Sequence, residues 1–197
     1  MILSGGITAG AFAAACLFGF CRRRPAALIA AAAFLFSLAG EWFLGHRGSG
    51  GERYFLYGIG CYFLAHAGFI AFAWCYGRMN IYVLGAVLPP YLLYGLFFLA
   101  PRIGDALLAA AVCGYTFISV VSLAMAAGLK WPLPPRAAYF GGILLILFSD
   151  TVISWKEFLN YHRFDSLIMP TYMGAHVLLG AALLWMTFCP VAVLRKE

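Results

Sequence analysis

Seven long apolar runs, separated by short stretches that hold most of the charge, constrain this chain more than any motif in it. They fall at about residues 2–20, 25–45, 54–77, 79–100, 103–128, 137–156 and 166–192. A helix that crosses a bilayer needs about 20 mostly apolar residues, and these runs meet that length. Backbone facing lipid has no water to satisfy its N–H and C=O groups, so only helices or a closed barrel can span. The runs are continuous rather than alternating, which selects helices. Composition closes the case: 64% of the residues are hydrophobic and 10% charged, against roughly 45–50% and about 25% in a soluble domain. The expectation is an all-α, polytopic transmembrane helical bundle of about seven spans, with eight as the alternative, forming one integral membrane domain over residues 1–197.

The net charge of +6 is not a nucleic-acid signal, because the basic residues lie between the apolar runs, where they set orientation in the membrane. The first run is followed, not preceded, by Arg22, Arg23 and Arg24, so it reads as a first span with its N-terminus outside rather than as a cleaved leader. On that topology Arg22, Arg23, Arg24, Arg78, Lys130, Arg136, Arg195 and Lys196 lie inside. Arg47, Arg53, Arg102, Lys156 and Arg163 lie outside. The bias favours an outer N-terminus and a cytoplasmic C-terminus in a cell (inner) membrane.

Punctuation refines the spans. Pro25 suits the first turn of the second helix, Pro89-Pro90 is expected to kink the fourth, and Trp131-Pro132-Leu133-Pro134-Pro135 reads as a rigid connection before the sixth. Gly48-Ser49-Gly50-Gly51 reads as a flexible loop, since it lacks the strand and the Lys-Ser/Thr of a phosphate-binding loop. Tyr54, Trp131 and Trp155 near span ends read as interfacial anchors. Cys16, Cys21, Cys61, Cys75, Cys113 and Cys189 form no CxxC and are read as buried free thiols. No metal-ligand spacing or cofactor motif is evident.

The residues that do not belong in an apolar helix carry the functional reading. Glu41 lies in the second span, Asp150 in the sixth, His66 in the third and His176 in the seventh. An acid at the centre of a spanning helix costs about 2.5–3.5 kcal/mol on insertion scales, and such residues usually face a bundle interior or a wet cavity. With the N-terminus outside, Glu41, Asp150, His176 and His66 lie roughly 6, 9, 15 and 18 Å below the outer helix ends at 1.5 Å per residue. That depth places all four in reach of one cavity in the outer half of the bilayer. Tyr62 precedes His66 by one helical turn, Tyr172 precedes His176, and Ser37 precedes Glu41, so each ionisable group has a hydroxyl on its own face. A histidine in such a helix is also commonly just a packed residue, and Glu41 is near enough to its helix end to be interfacial.

Several segments together resemble the YhhN family of lysoplasmalogenases. They are Ser37-Leu38-Ala39-Gly40-Glu41, Gly58, Phe63-Leu64-Ala65-His66, the run Gly141 to Asp150 with Phe158 after it, and Tyr172-Met173-Gly174-Ala175-His176-Val177-Leu178-Leu179. The resemblance covers about residues 35–185. The family usually has Asp where this chain has Glu41, and its members commonly have eight spans. The resemblance implies hydrolysis of the vinyl-ether bond of a lysoplasmalogen to a fatty aldehyde and glycerophosphoethanolamine or glycerophosphocholine. Protonation of a vinyl ether at carbon makes an oxocarbenium ion, the problem that glycosidases solve with two carboxyl groups. Glu41 and Asp150 are the expected catalytic pair; the sequence leaves open which is the acid, and greater depth favours Asp150. Tyr62, His66, Tyr172, His176, Ser37 and Ser149 are expected to orient water or substrate, without metal or cofactor. The expected partners are a lysophospholipid substrate and membrane lipids, and no nucleic acid; the oligomeric state stays open. The rival reading is a small proton-coupled transporter or a lipid-binding membrane protein, since these also bury acids and histidines.

Overall fold

A computed structural model describes residues 2–22 and 25–189. Among the described residues seven helices account for the architecture: α1 (Ile2–Arg22), α2 (Ala26–Gly45), α3 (Arg47–Trp74), α4 (Ile81–Tyr94), α5 (Ala106–Ala127), α6 (Leu133–Leu159) and α7 (Asp165–Phe188). With the turns that prolong α4 to Arg102, seven segments are long and apolar enough to cross a membrane. Among the described residues there is no strand, only an isolated antiparallel bridge between Gly77 and Leu129. The expected bundle of about seven spans is therefore what the chain forms. Arg23, Arg24, Arg195 and Lys196, which weigh in the orientation argument, lie outside the described residues.

The helices pack in the order α1–α2–α3–α5–α6–α7, and α7 returns to α1, closing a ring of six. Helix α4 stands outside the ring against α5 and has no buried residue of its own. Lipid is as apolar as leucine, so helix association in a membrane rests on close packing of small residues rather than on hydrophobic burial. The ring follows that rule. Ala11, Ala14, Ala15, Ala27, Ala30, Ala31 and Ala33 are buried between α1, α2 and their neighbours, and a Cβ on Gly180 of α7 would sit 3.4 Å from Ala11. Leu3, Phe20, Leu28, Phe97, Leu107 and Leu133 point outward, fully or largely exposed; a bilayer is the environment that covers such a surface.

The two ends of the ring differ. At one end Phe18, Phe72, Tyr76, Trp131 and Tyr139 form a dense aromatic cluster, with ring centroids 5.0–6.4 Å apart. The loops there clasp each other: Arg78 N–H donates to Gly128 C=O (3.3 Å), Asn80 N–H to Ala124 C=O (3.0 Å), and Lys130 N–H to Tyr76 C=O (3.0 Å). A side chain on Gly128 would collide with the Arg78 carbonyl at 1.7 Å, so the clasp depends on that glycine. The opposite end carries the polar residues described below.

Local details correct several expectations. Helix α6 begins at Leu133, not near residue 137, because Pro134 and Pro135 occupy its first turn, where a missing N–H costs nothing. Trp131 is buried in the aromatic cluster and is no interfacial anchor. Helix α4, capped by the Asn80 side chain on the N–H groups of Tyr82 and Val83 (both 3.1 Å), runs through Pro89-Pro90. Its irregularity falls later, as a π turn over Gly95–Leu99, the wider spacing that often relieves a disturbed hydrogen-bond ladder. Residues 47–50 are helical rather than loop, and the break is at Gly51, whose φ of 61° and ψ of −148° suit glycine alone. The six cysteines are free but none is buried: Cys21, Cys75 and Cys189 are exposed and the others partly so.

Candidate functional site

The polar residues gather inside the ring where the C-terminal ends of α2 and α6 meet the N-terminal ends of α3 and α7. They form two clusters. In the first, Tyr115 of α5 donates its hydroxyl to Oδ2 of Asp150 at 2.5 Å and lies 3.3 Å from Nε2 of His66. His66 Nε2 is itself 3.9 Å from Asp150 Oδ2. Since the one phenolic proton is committed to Asp150, His66 completes the contact by carrying its proton on Nε2. Its Nδ1 is then a buried acceptor without a partner.

In the second cluster Glu41 Oε1 receives two hydroxyls. Thr8 of α1 approaches at 2.5 Å and Tyr172 of α7 at 3.0 Å. Tyr62 of α3 donates to the Tyr172 oxygen at 3.4 Å, so a short relay runs Tyr62 to Tyr172 to Glu41. His176 packs against Tyr172, centroids 4.4 Å apart, and bonds through Nδ1 to the Tyr172 carbonyl at 3.0 Å. A carbonyl can only accept, so Nδ1 bears the proton and the buried Nε2 is left bare. Gly40 makes the relay possible: a Cβ there would lie 2.9 Å from the Tyr62 ring.

Two adjoining cavities bring the clusters together. One, of about 320 Å³, is lined by Glu41, Tyr62, Ser149 and Tyr172, with Arg47, Lys156 and Glu157 toward the helix ends. The other, of about 70 Å³, is lined by Asp150 and the hydroxyl residues Tyr62, Tyr94, Tyr115, Thr116, Ser119, Thr151 and Ser154, with apolar residues between them. Leu44, Phe55, Tyr62 and Ile153 belong to both walls. The sequence reading expected all four ionisable groups on one cavity. Instead Glu41 and Asp150 line neighbouring cavities with Tyr62 at their common wall, and the two histidines are buried behind the tyrosines.

Of the remaining expected residues, Ser149 lines the larger cavity but its hydroxyl is bonded to the Ile168 carbonyl at 3.2 Å, tying α6 to α7. Ser37 is buried on α2 and bonds neither carboxylate. Sequence reasoning missed Thr8 and Tyr115, the hydroxyls closest to the two acids. It also missed a second tier: Tyr91 and Tyr94 of α4 meet Thr151 at 2.8 Å and Ser154 at 2.6 Å. Thr151 and Ser154 donate their own protons to backbone carbonyls of α6, so the tyrosines are the donors. The signal available for Tyr115 was the run Tyr115-Thr116 with Ser119 one turn on, a hydroxyl-rich stripe in an otherwise apolar span.

No curated protein and no solved structure matches the chain. The sequence model of the YhhN family, the lysoplasmalogenase family, matches residues 6–183, which takes in every residue of both clusters. This chain therefore belongs to the YhhN family.

Proposed function

We propose that this protein hydrolyses the vinyl-ether bond of lysoplasmalogens. The observation that carries the reading is the pair of hydroxyl-braced carboxylates on adjoining cavities inside a membrane-spanning ring, in a member of this family. Tyr115 and His66 both approach Oδ2 of Asp150, so Oδ1 is the oxygen left to hold a proton. In the proposed mechanism Asp150 delivers that proton to the β-carbon of the vinyl ether. The double-bond electrons form the new C–H bond, and the ether oxygen's lone pair becomes the C=O⁺ bond of an oxocarbenium ion. Glu41, held as an acceptor by Thr8 and Tyr172, stabilises the cation electrostatically and takes a proton from the water that adds to it. The resulting hemiacetal breaks its bond to the glycerol oxygen. That oxygen gains a proton, the aldehyde leaves, and one further proton transfer restores Asp150. Net, one water is consumed and nothing is oxidised or reduced.

The test is direct. Purified protein in detergent is incubated with a lysoplasmalogen, and aldehyde is followed through a coupled dehydrogenase. Aldehyde release that Asp150→Asn lowers by about 10²-fold or more supports the reading. Absence of aldehyde from folded protein with ethanolamine and choline substrates defeats it and favours a transporter, which makes no product.

A further inference from the structure

The larger cavity has a mouth whose chemistry the hydrolysis does not use. Three charged side chains line it near the helix ends: Arg47 at the start of α3, and Lys156 and Glu157 near the end of α6. Arg47 pairs with Glu157 and lies over the Phe55 ring, 4.4 Å from its centroid. Phe55 and the salt bridge thus hold the guanidinium at the cavity wall. Lys156 is different: it is exposed, it lines the same cavity, and among the described residues no carboxylate pairs with it. At the helix ends two cations face one anion, while Glu41 and Tyr172 line the same cavity farther from those ends.

We propose that this mouth is a phosphate subsite, in which Arg47 and Lys156 hold the phosphodiester of a lysophospholipid headgroup. The proposal deepens the hydrolase reading and rests on it for the identity of the substrate. The charges fit. A guanidinium offers paired N–H donors to phosphate oxygens and an ammonium offers a point charge. When the phosphate engages Arg47, Glu157 is left to face the cationic end of a zwitterionic headgroup. The depth also fits. Ser149 and Asp150 are about two helical turns from Lys156 along α6, roughly 9–11 Å at 1.5 Å per residue. The lysine side chain covers part of that distance and the glycerol backbone the rest. A phosphate at the mouth therefore brings the vinyl ether down to the wall that Tyr62 shares between the cavities. Ile59, Val112 and Leu147, which line only the smaller cavity, leave an apolar wall for the chain. A neutral lipid without phosphate would lack this depth gauge.

The test uses two ligands that cannot react, a 1-O-alkyl-glycerophosphoethanolamine and a 1-O-alkylglycerol of the same chain length. Binding of each to the purified protein is measured by calorimetry in a non-ionic detergent. The wild type is expected to bind the phospholipid more tightly, with an affinity that falls as salt rises, while the alkylglycerol shows no salt dependence. Lys156→Gln and the double change R47Q/E157Q are each expected to weaken the phospholipid three- to tenfold and leave the alkylglycerol unchanged. Lys156 is exposed and unpaired, so its variant folds if any does. Equal affinity of K156Q and wild type for the phospholipid, or equal loss for both ligands, overturns the proposal. The outcome is separable from hydrolysis because neither ligand is a substrate. A phosphate-selective loss in a protein that makes no aldehyde keeps the subsite and discards the reaction. Aldehyde production with no phosphate selectivity does the reverse.

Discussion

At the scale of single residues, the site is a set of hydroxyls pointed at two carboxylates. Glu41 and Asp150 stand out in the sequence because an acid in a spanning helix is costly. Their partners do not. Thr8 and Tyr115 come from α1 and α5, far along the chain, and a Thr or Tyr in an apolar helix has the bland alternative of bonding its own backbone or resting at an interface. Thr116 and Ser119 take that alternative, donating to the carbonyls one turn back. The i,i+4 argument for Tyr62 and His66 placed both on one face, but the hydroxyl that reaches His66 is Tyr115. Sequence spacing sees neighbours on one helix and is blind to neighbours across the ring. Three outcomes follow for aldehyde release in detergent. Asp150→Asn and Glu41→Gln are each expected to lower turnover by about 10²-fold or more, a common loss for removing acid–base help. Tyr115→Phe deletes the hydroxyl from Asp150 but keeps the ring. The bond strengthens as Asp150 gives up its proton and becomes a carboxylate; a hydrogen bond to a charged group is worth about 1.5–3 kcal/mol, so the variant is expected to lose about tenfold or more in kcat with little change in KM. A Tyr115→Phe protein with wild-type kcat would show that Asp150 needs no such brace.

At the scale of helices, the seven spans were legible because each is a long apolar run, and the errors lie at their ends and irregularities. Pro134 and Pro135 read in the sequence as part of a rigid connection, yet proline is at home in a first turn, so α6 starts about a turn early. Gly48 to Gly51 have the composition of a loop, yet only Gly51 leaves helical geometry. Trp131 was read as an anchor because position along the chain does not reveal that the loops on either side fold over it. The clasp that covers it was not legible either: it depends on backbone approaching backbone at Gly77 and Gly128, which leaves no apolar pattern. Two glycine variants separate these kinds of position. Gly128→Ala drives a Cβ into the Arg78 carbonyl at 1.7 Å and is expected to destabilise by about 1–3 kcal/mol, as overpacking does. Gly85 sits in the middle of α4 with nothing within 4 Å of its would-be Cβ. Gly85→Ala is expected to be neutral or to stabilise by up to about 1 kcal/mol through helix propensity. Thermal unfolding in detergent, followed by intrinsic fluorescence, decides between them. The order is reversed only if the loop clasp is not formed.

At the scale of the whole molecule, a closed ring with its polar residues at one end makes a claim about which bond can break. In the proposed mechanism both carboxylates, with their bracing hydroxyls, act on protons and cations. An ester would demand something else: a nucleophile activated by a base, and donors placed for an oxyanion. The sequence holds no Gly-x-Ser-x-Gly elbow, and Ser149, the serine nearest Asp150 in the chain, has its hydroxyl spent on the Ile168 carbonyl. Protonation at carbon needs an ether oxygen whose lone pair feeds a double bond. The vinyl ether has one and the saturated alkyl ether of the same length does not. The alkyl-ether lysolipid is therefore expected to occupy the cavities without reacting and to inhibit competitively, and the ester lysolipid to be at best a poor substrate. Isotopes make the claim sharper. In D₂O the aldehyde, reduced as it forms so that later exchange is blocked, is expected to carry one deuterium at the carbon next to the carbonyl, the former β-carbon of the vinyl ether. In H₂¹⁸O the released glycerol is expected to keep its original oxygen, because the bond that breaks joins that oxygen to the vinyl carbon. Free fatty acid released from the ester faster than aldehyde from the vinyl ether, or ¹⁸O appearing in the glycerol hydroxyl, would rule out the carboxylate mechanism while leaving the ring of helices as it is.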